Sequence, residues 1–437
     1  MKKVLIVSFY FPPTNSVAAV RLGKFAKYLP QFGWEPIVLT ADTAKDRPQT
    51  LPVEIDQTNV FRTSYFALYS SLYRDLKGSQ ETASEAAPRK FNWREPIYRA
   101  VRLAQPVYTL SILAPLLTDP IGWYPHAVKK GRELLNKHKI DVIFSSYAPS
   151  TSHLVASRLH RVSGIPWIAE FRDLWALNHN ARTTRFLRFF EECFEKKVMK
   201  HSSSLIVCSE GMVEQLERLH RKRVVTINNG FDEEDYAENV PQTSKFTITY
   251  TGNIYGGKQD PNPLLQALKE LKEAGKVLPG DFELRFFGGS SLAAILPLIE
   301  RHDLTGLVKV YDLIPFKECI AMQKESTVLL FLKWNDPSAK GIYSGKLFEY
   351  LGAKRPVMAV GTFKDELVDT LISESGTGVL LNNATEIVSV LSCWLEEWRQ
   401  TKGTISYWKP NMNVIGRYTR RGQAEKLAGL LEEVSQP

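Results

Sequence analysis

The sequence predicts an α/β protein made of two doubly wound parallel sheets. Three observations carry this. Short, nearly continuous apolar runs recur between amphipathic helical segments, the pattern of strands covered on both faces. The series runs twice, divided by the acidic, proline-containing stretch EEDYAENVPQTS at 233–244. A chain of 437 residues also exceeds one ordinary hydrophobic core.

In order, KVLIVSF (3–9) reads as the first strand, followed by a helix with Val20, Phe25, Tyr28 and Leu29 on one side. Strands follow at 36–40, 141–145, 166–171, 204–208 and 224–227, each flanked by helix-like sequence. This domain spans 1–232, with 233–244 as linker. A second domain over 245–409 places strands at 246–251, 283–287, 308–311, 328–332, 356–360 and 378–381. The last segment, 410–437, contains the amphipathic helix YTRRGQAEKLAGLLEEV (418–434). Open sheets of this kind bind ligands beyond the carboxyl ends of their strands, so two facing sheets predict a ligand in the cleft between them.

Charge divides the chain. Residues 1–232 carry 33 basic and 21 acidic side chains, while 233–437 carry 23 and 26. The basic first half suits an anionic partner (nucleic acid, anionic lipid or a phosphorylated substrate) or is a solvated basic surface. No known nucleic-acid reading module is present. Segment 61–125 interleaves aromatic and apolar side chains with arginines, which fits either a bilayer-interface surface or an inserted helical subdomain. The uncharged stretches at 4–20 and 103–118 are broken by prolines and fall short of a membrane span. The four cysteines are scattered, without a CxxC pair, which argues against structural zinc and fits a reducing compartment.

Neither a GxxxxGK[ST] loop nor a GxGxxG turn after the first strand occurs, and no HExxH, GxSxG or DxD-type metal pair is found. Three segments of the second half stand out. YTGNIYGGK (250–258) follows a strand: Gly252, Gly256 and Gly257 permit close backbone approach and Lys258 suits a phosphate, or the segment is a glycine turn ending in a solvated lysine. FFGG (286–289) is a second strand end with paired glycines. In SGKLFEYLGAKRP (344–356), Ser344 caps a helix whose start, with Gly345 and Lys346, forms an anion site. Glu349 lies one turn further on the same face, placed for a ribose or for a surface ion pair with Lys346.

SGKLFEYLGAKRPVMAVG resembles the donor-binding segment of the retaining glycosyltransferases of family 4, which have the two-domain GT-B fold. Looser motifs appear in the family's order: FYFPP and KYLPQFGWEPIVLT near the start, AEFRDLW (169–175), SE (209–210), NNGFD (228–232) and YTGNIYGG. The resemblance implies that the second domain binds a nucleotide diphosphate-sugar, most simply a UDP-sugar, with no other cofactor. Glu349 would hold the ribose. Ser344, Gly345, Lys346 and Leu347 would lie near the diphosphate, with Gly252, Asn253, Gly256, Gly257 and Lys258 closing from the other side. The first domain would take a glycan or polyprenyl-diphosphate-linked acceptor, and the helix at 418–434 would return to that domain.

The chain departs from the family pattern at several points. Gly341 stands where a glutamate is common, eight residues before the ribose carboxylate. Asn253 replaces an arginine, and Asn15 and Ser16 replace a glycine pair. A histidine common in the first domain gives way to the stretch containing Tyr147, leaving His153 on the next helix. The acceptor side is therefore expected at Asn15, Ser16, Arg21, Tyr147 and His153, with Arg172 and Asp173 as acceptor-facing polar groups or a strand-end salt bridge. Catalysis is assigned to Lys258, Lys346, Arg172 and Asp173 without a metal. The expected setting is cytoplasmic, with the basic domain at the inner face of an anionic plasma membrane and a role in bacterial surface polysaccharide synthesis. A nucleotide-sugar epimerase or hydrolase, a non-catalytic nucleotide-binding module and a nucleic-acid-binding protein are the rival readings.

Overall fold

The computed structural model describes residues 1–66, 120–178, 184–255, 258–337, 340–401, 405–406 and 408–436. Its chain divides into two units: residues 1–208, 212–227 and 425–437 form the first, and 209–211 with 228–424 form the second.

In the first unit, β1 (Lys2–Val7), β2 (Trp34–Ala41), β3 (Val60–Thr63), β4 (Val142–Tyr147), β5 (Trp167–Phe171), β6 (Ser204–Val207) and β7 (Val224–Thr226) form one sheet in the order β3-β2-β1-β4-β5-β6-β7. All neighbours are parallel. The apolar runs predict this, because Val4, Leu5, Ile6 and Val7 are fully buried, as strands covered on both faces must be. Helices α1 (Val17–Tyr28), α2 (Tyr124–Lys137), α3 (Thr151–Ser163), α4 (Arg185–Met199) and α5 (Val213–His220) provide the crossovers. Ser16 caps α1 by accepting the Ala19 N–H at 3.1 Å. The strand order reverses between β1 and β4.

The short edge strand β3 lies where the sequence reading began its aromatic segment, and Phe61 is one of its residues. Trp123 is likewise buried in this unit, donating its indole N–H to Thr63 Oγ1 at 2.8 Å. Residues 67–119, most of the 61–125 segment, lie outside the described residues.

The second unit holds β8 (Phe246–Thr251), β9 (Phe282–Phe287), β10 (Val308–Tyr311), β11 (Val328–Leu332), β12 (Val357–Val360) and β13 (Gly378–Leu381), in the order β10-β9-β8-β11-β12-β13 and again all parallel. Around it pack α6 (Asn262–Glu273), α7 (Leu296–Arg301), α8 (Phe316–Glu325), α9 (Gly345–Ala353), α10 (Glu366–Ser375), α11 (Ala384–Thr401) and α12 (Met412–Ile415). One core face gathers Phe246, Phe282, Phe286, Trp394 and Trp398, and the other Leu347, Phe348, Leu351, Phe331 and Tyr236. Tyr236 comes from the 233–244 stretch and is 8% exposed. Here the order reverses between β8 and β11, which sets their carboxyl ends beside the start of α9, the crossover from β11 to β12.

The last helix, α13 (Arg420–Ser435), ends in the first unit, where Glu432 accepts from Lys2 Nζ at 2.6 Å and Glu433 from Arg223 at 2.9 Å.

Candidate functional site

A buried polar cluster of the second unit stands where β8 and β11 end. Thr251 closes β8, and Gly252 turns the chain with φ +110°, a conformation open to glycine and strained for other residues. Lys346, in the first turn of α9, reaches across to this turn: its ammonium donates to Tyr250 Oη at 2.7 Å and to the Asn253 carbonyl at 3.0 Å. Burial lowers its pKa to about 8, with Glu349 acting in the opposite direction. Ser344 occupies the N-cap position, yet its side chain makes no cap bond, and the space beside Gly345 is open to at least 4 Å. Leu347 is fully buried, so it contributes its backbone alone.

Glu349 is held from behind. The Gln323 amide donates to its Oε2 at 3.3 Å and to Thr251 Oγ1 at 3.0 Å, while the Tyr236 hydroxyl donates to Gln323 Oε1 at 3.4 Å. Burial raises the Glu349 pKa against the opposing pull of Gln323, Lys346 and Arg420. The site thus sets a desolvated ammonium and an oriented carboxylate one helical turn apart, beside a turn that needs glycine. Such a pair suits an anion and a neighbouring diol.

Lys258 sits differently. Its ammonium pairs with Asp336 at 3.1 Å and lies 5.6 Å from the centre of the Trp334 ring. Gly256 and Gly257 lie outside the described residues, and Asn253 contributes its carbonyl to Lys346.

Of the residues assigned to the acceptor side, Arg21 is 1% exposed. Its guanidinium donates to Glu170 Oε1 at 2.9 Å and to the Ile227 carbonyl at 2.7 Å, so its hydrogen-bonding capacity goes into the core. His153 is fully buried as well. Its Nδ1 pairs with Ser145 Oγ at 2.8 Å, Nε2 has no partner, and burial drops its pKa to about 3, so the ring is neutral and faces no solvent. Tyr147 is half-buried, stacked between His153 and Trp175. Arg172, just beyond β5, donates to Ser146 Oγ at 3.1 Å and to the Ala148 carbonyl at 2.8 Å, which ties it to the end of β4. Asp173 is exposed, and Asn15 is half-buried with its N–H on the Pro48 carbonyl.

Residues 18–235 match the sequence pattern of the family described as Glycosyltransferase Family 4. The chain resembles the family 4 glycosyltransferases. The match supports glycosyl transfer as its activity. The whole chain shares its fold with sucrose-phosphate synthase from Thermosynechococcus elongatus (TM-score 0.61, 13% identity, 99% of each chain covered). It also resembles Anabaena HepE in complex with UDP and glucose (TM-score 0.59, 13% identity, 99% of this chain and 100% of that one). A UDP-forming α,α-trehalose-phosphate synthase from Burkholderia xenovorans gives a TM-score of 0.57 at 12% identity over all of both chains. The fold is GT-B, two Rossmann-like domains. Among curated protein sequences none matches this one.

Against the family pattern, the glycine at 341 has a structural reason. Gly341 has φ +76°, and a Cβ there would fall 2.8 Å from Gly211 Cα. Its carbonyl accepts from the Gly211 N–H at 3.1 Å and from Ser209 Oγ at 2.5 Å, and its N–H points to Asp365 at 3.2 Å. Sequence reasoning missed Gln323, Tyr236 and Tyr250 as the groups that orient Glu349 and Lys346. Their only sequence signal is position: Tyr250 stands next to the end of a strand, but nothing marks a glutamine on α8 as a bridge between β8 and α9.

Proposed function

We propose that the protein is a retaining, metal-independent glycosyltransferase that moves a hexosyl or N-acetylhexosaminyl group from a UDP-sugar to a hydroxyl of a glycan or polyprenyl-diphosphate-linked acceptor. The observation that carries the reading is the assembly of Gly252, Lys346 and Glu349 at the carboxyl ends of β8 and β11, with open space beside Gly345. Glu349 accepts both ribose hydroxyls. The diphosphate lies on the amides at the start of α9, and Lys346 exchanges its bond to the Asn253 carbonyl for a phosphate oxygen. That a protein of the same fold, HepE, binds UDP with glucose agrees with this choice of donor.

As the bond from the anomeric carbon to the diphosphate oxygen breaks, Lys346 and the amides stabilise the charge growing on the leaving group. The acceptor oxygen bonds to the anomeric carbon on the face the diphosphate leaves, and its proton passes to the released phosphate oxygen. The buried, neutral His153 is not needed as a base. Lys258 joins the phosphates if it leaves Asp336. The acceptor side is assigned to the first unit around Tyr147, Arg172 and Asp173, and the basic charge of the first half suits a lipid-diphosphate acceptor at the inner face of a plasma membrane, in surface polysaccharide synthesis.

Calorimetry with UDP, GDP and ADP tests the site: UDP binding that Glu349→Ala abolishes is expected, and UDP binding unchanged in that variant overturns the placement. The anomeric configuration of the product, read by nuclear magnetic resonance, tests retention. Free sugar released equally with and without acceptors would favour the hydrolase reading.

A further inference from the structure

Helix α4 is amphipathic in an unusual sense. Its inward face buries Leu187, Val198 and Met199 together with a carboxylate, Glu195, which accepts from the Ala176 N–H at 2.8 Å and pairs with His220 Nε2 at 2.9 Å. Its outward face begins with exposed aromatic rings. Phe186 is 57% and Phe189 60% exposed, and both pack edge-on against Phe190, with ring centres 4.7 and 5.7 Å away. At helical spacing this stripe continues through the exposed Cys193 to Lys196, Lys197 and Lys200, and Arg185 stands exposed at its start. Glu191 and Glu192 are half-buried on the flanks. The outward stripe therefore carries aromatic rings and basic groups with no carboxylate between them.

We propose that this face of α4 docks the protein on an anionic lipid bilayer, with Phe186 and Phe189 among the acyl chains and Arg185, Lys196, Lys197 and Lys200 at the headgroups. The composition is that of an interfacial helix: bulky apolar side chains on one stripe, and cations whose charge complements anionic lipid. A second copy is a poorer occupant, because a parallel two-fold pairing of α4 sets these cations against their own duplicates, and an antiparallel one sets Lys196, Lys197 and Lys200 against the phenylalanine end of the partner helix with no carboxylate on the stripe to pair them. The inference lies outside the 61–125 segment and does not depend on the sugar chemistry.

The test is vesicle flotation of the full-length protein. On phosphatidylglycerol-containing vesicles at low salt the protein floats; on pure phosphatidylcholine, or at high salt, it stays behind. Phe186→Ser with Phe189→Ser, and separately Lys196→Glu with Lys197→Glu, each lower affinity for anionic vesicles about tenfold or more. Circular dichroism stays unchanged, because all four side chains are exposed. A polarity-sensitive dye on Cys193, in a Cys393→Ser background, shifts to the blue on binding. No flotation on anionic vesicles overturns the proposal, as does flotation undiminished by the phenylalanine changes. A dimer in sedimentation that those changes dissolve, without vesicle binding, assigns the face to a second copy instead.

Discussion

A Cβ built on Gly252 would lie 2.4 Å from Cε of Lys346, so the missing side chain at 252 is what lets that lysine cross the end of β8 to Tyr250 and Asn253. The same glycine holds φ +110°. Gly252→Ala therefore faces strain in its own backbone, of order 1–3 kcal/mol, and a collision with the lysine stem. The expected outcome is UDP affinity reduced about tenfold or more by calorimetry, with a lower urea midpoint. Gly280, in contrast open on its Cβ side, serves as a control and tolerates alanine.

The desolvated Lys346 makes anion binding pH-dependent. With its pKa lowered to about 8, the ammonium is present below that pH and is lost above it. UDP affinity is expected to fall about tenfold for each pH unit above 8, and Lys346→Met is expected to flatten this profile at a low level. Stability runs the other way. The unfolded chain holds this proton up to the ordinary lysine pKa of 10.5, so the free protein gains stability from this group as pH rises from about 8 toward 10.5. Titrations at pH 7, 8 and 9, paired with unfolding curves, check both signs.

Glu349 has the opposite signature. Burial raises its pKa above 4.5, so its charge at neutral pH costs folding free energy, and that cost disappears as pH falls through the raised value. Glu349→Gln keeps an oxygen for the Gln323 amide. In differential scanning calorimetry without nucleotide it is expected to melt slightly higher, because the neutral amide has no charge to desolvate. UDP affinity is expected to fall about 10–100-fold, because hydrogen bonds to a charged acceptor exceed those to a neutral one. A variant that loses both stability and binding would assign Glu349 to the scaffold.

That Lys346 and Glu349 are neighbours was legible because both lie on one helix, where a spacing of three residues fixes a shared face. The strands were legible for a similarly local reason, since β1 and β11 are buried on both faces and read as unbroken apolar runs. Edge strand β3 was not, because VFRT is four residues long and its Phe61 reads as part of the aromatic stretch that follows. The inward-facing role of Arg21 was hidden for another reason. An arginine on α1 looks available until Glu170, 149 positions away, is seen to hold it at 2.8 Å. Gln323 was invisible because it acts between two other elements and has no charge to advertise it.

The glycine at 341 poses the sharpest question about the sugar end of the site. If it were merely a lost side chain, Gly341→Glu would restore the acidic group common in family 4. The geometry predicts otherwise. Position 341 holds φ +76°, a Cβ there would press on Gly211 Cα, and Gly211 is held by its N–H bond to the Gly341 oxygen, which a Cβ added at 211 would in turn approach to 2.4 Å. A glutamate there must break the paired backbones and the bonds to Ser209 and Asp365. Gly341→Glu is expected to lose about 2–4 kcal/mol in urea unfolding and to gain no turnover. Gly211→Ala should be nearly as damaging, whereas a surface change such as Lys340→Glu, one residue away, should not. Increased transfer by a stable Gly341→Glu protein would mean that the 209–211 segment moves aside during the reaction.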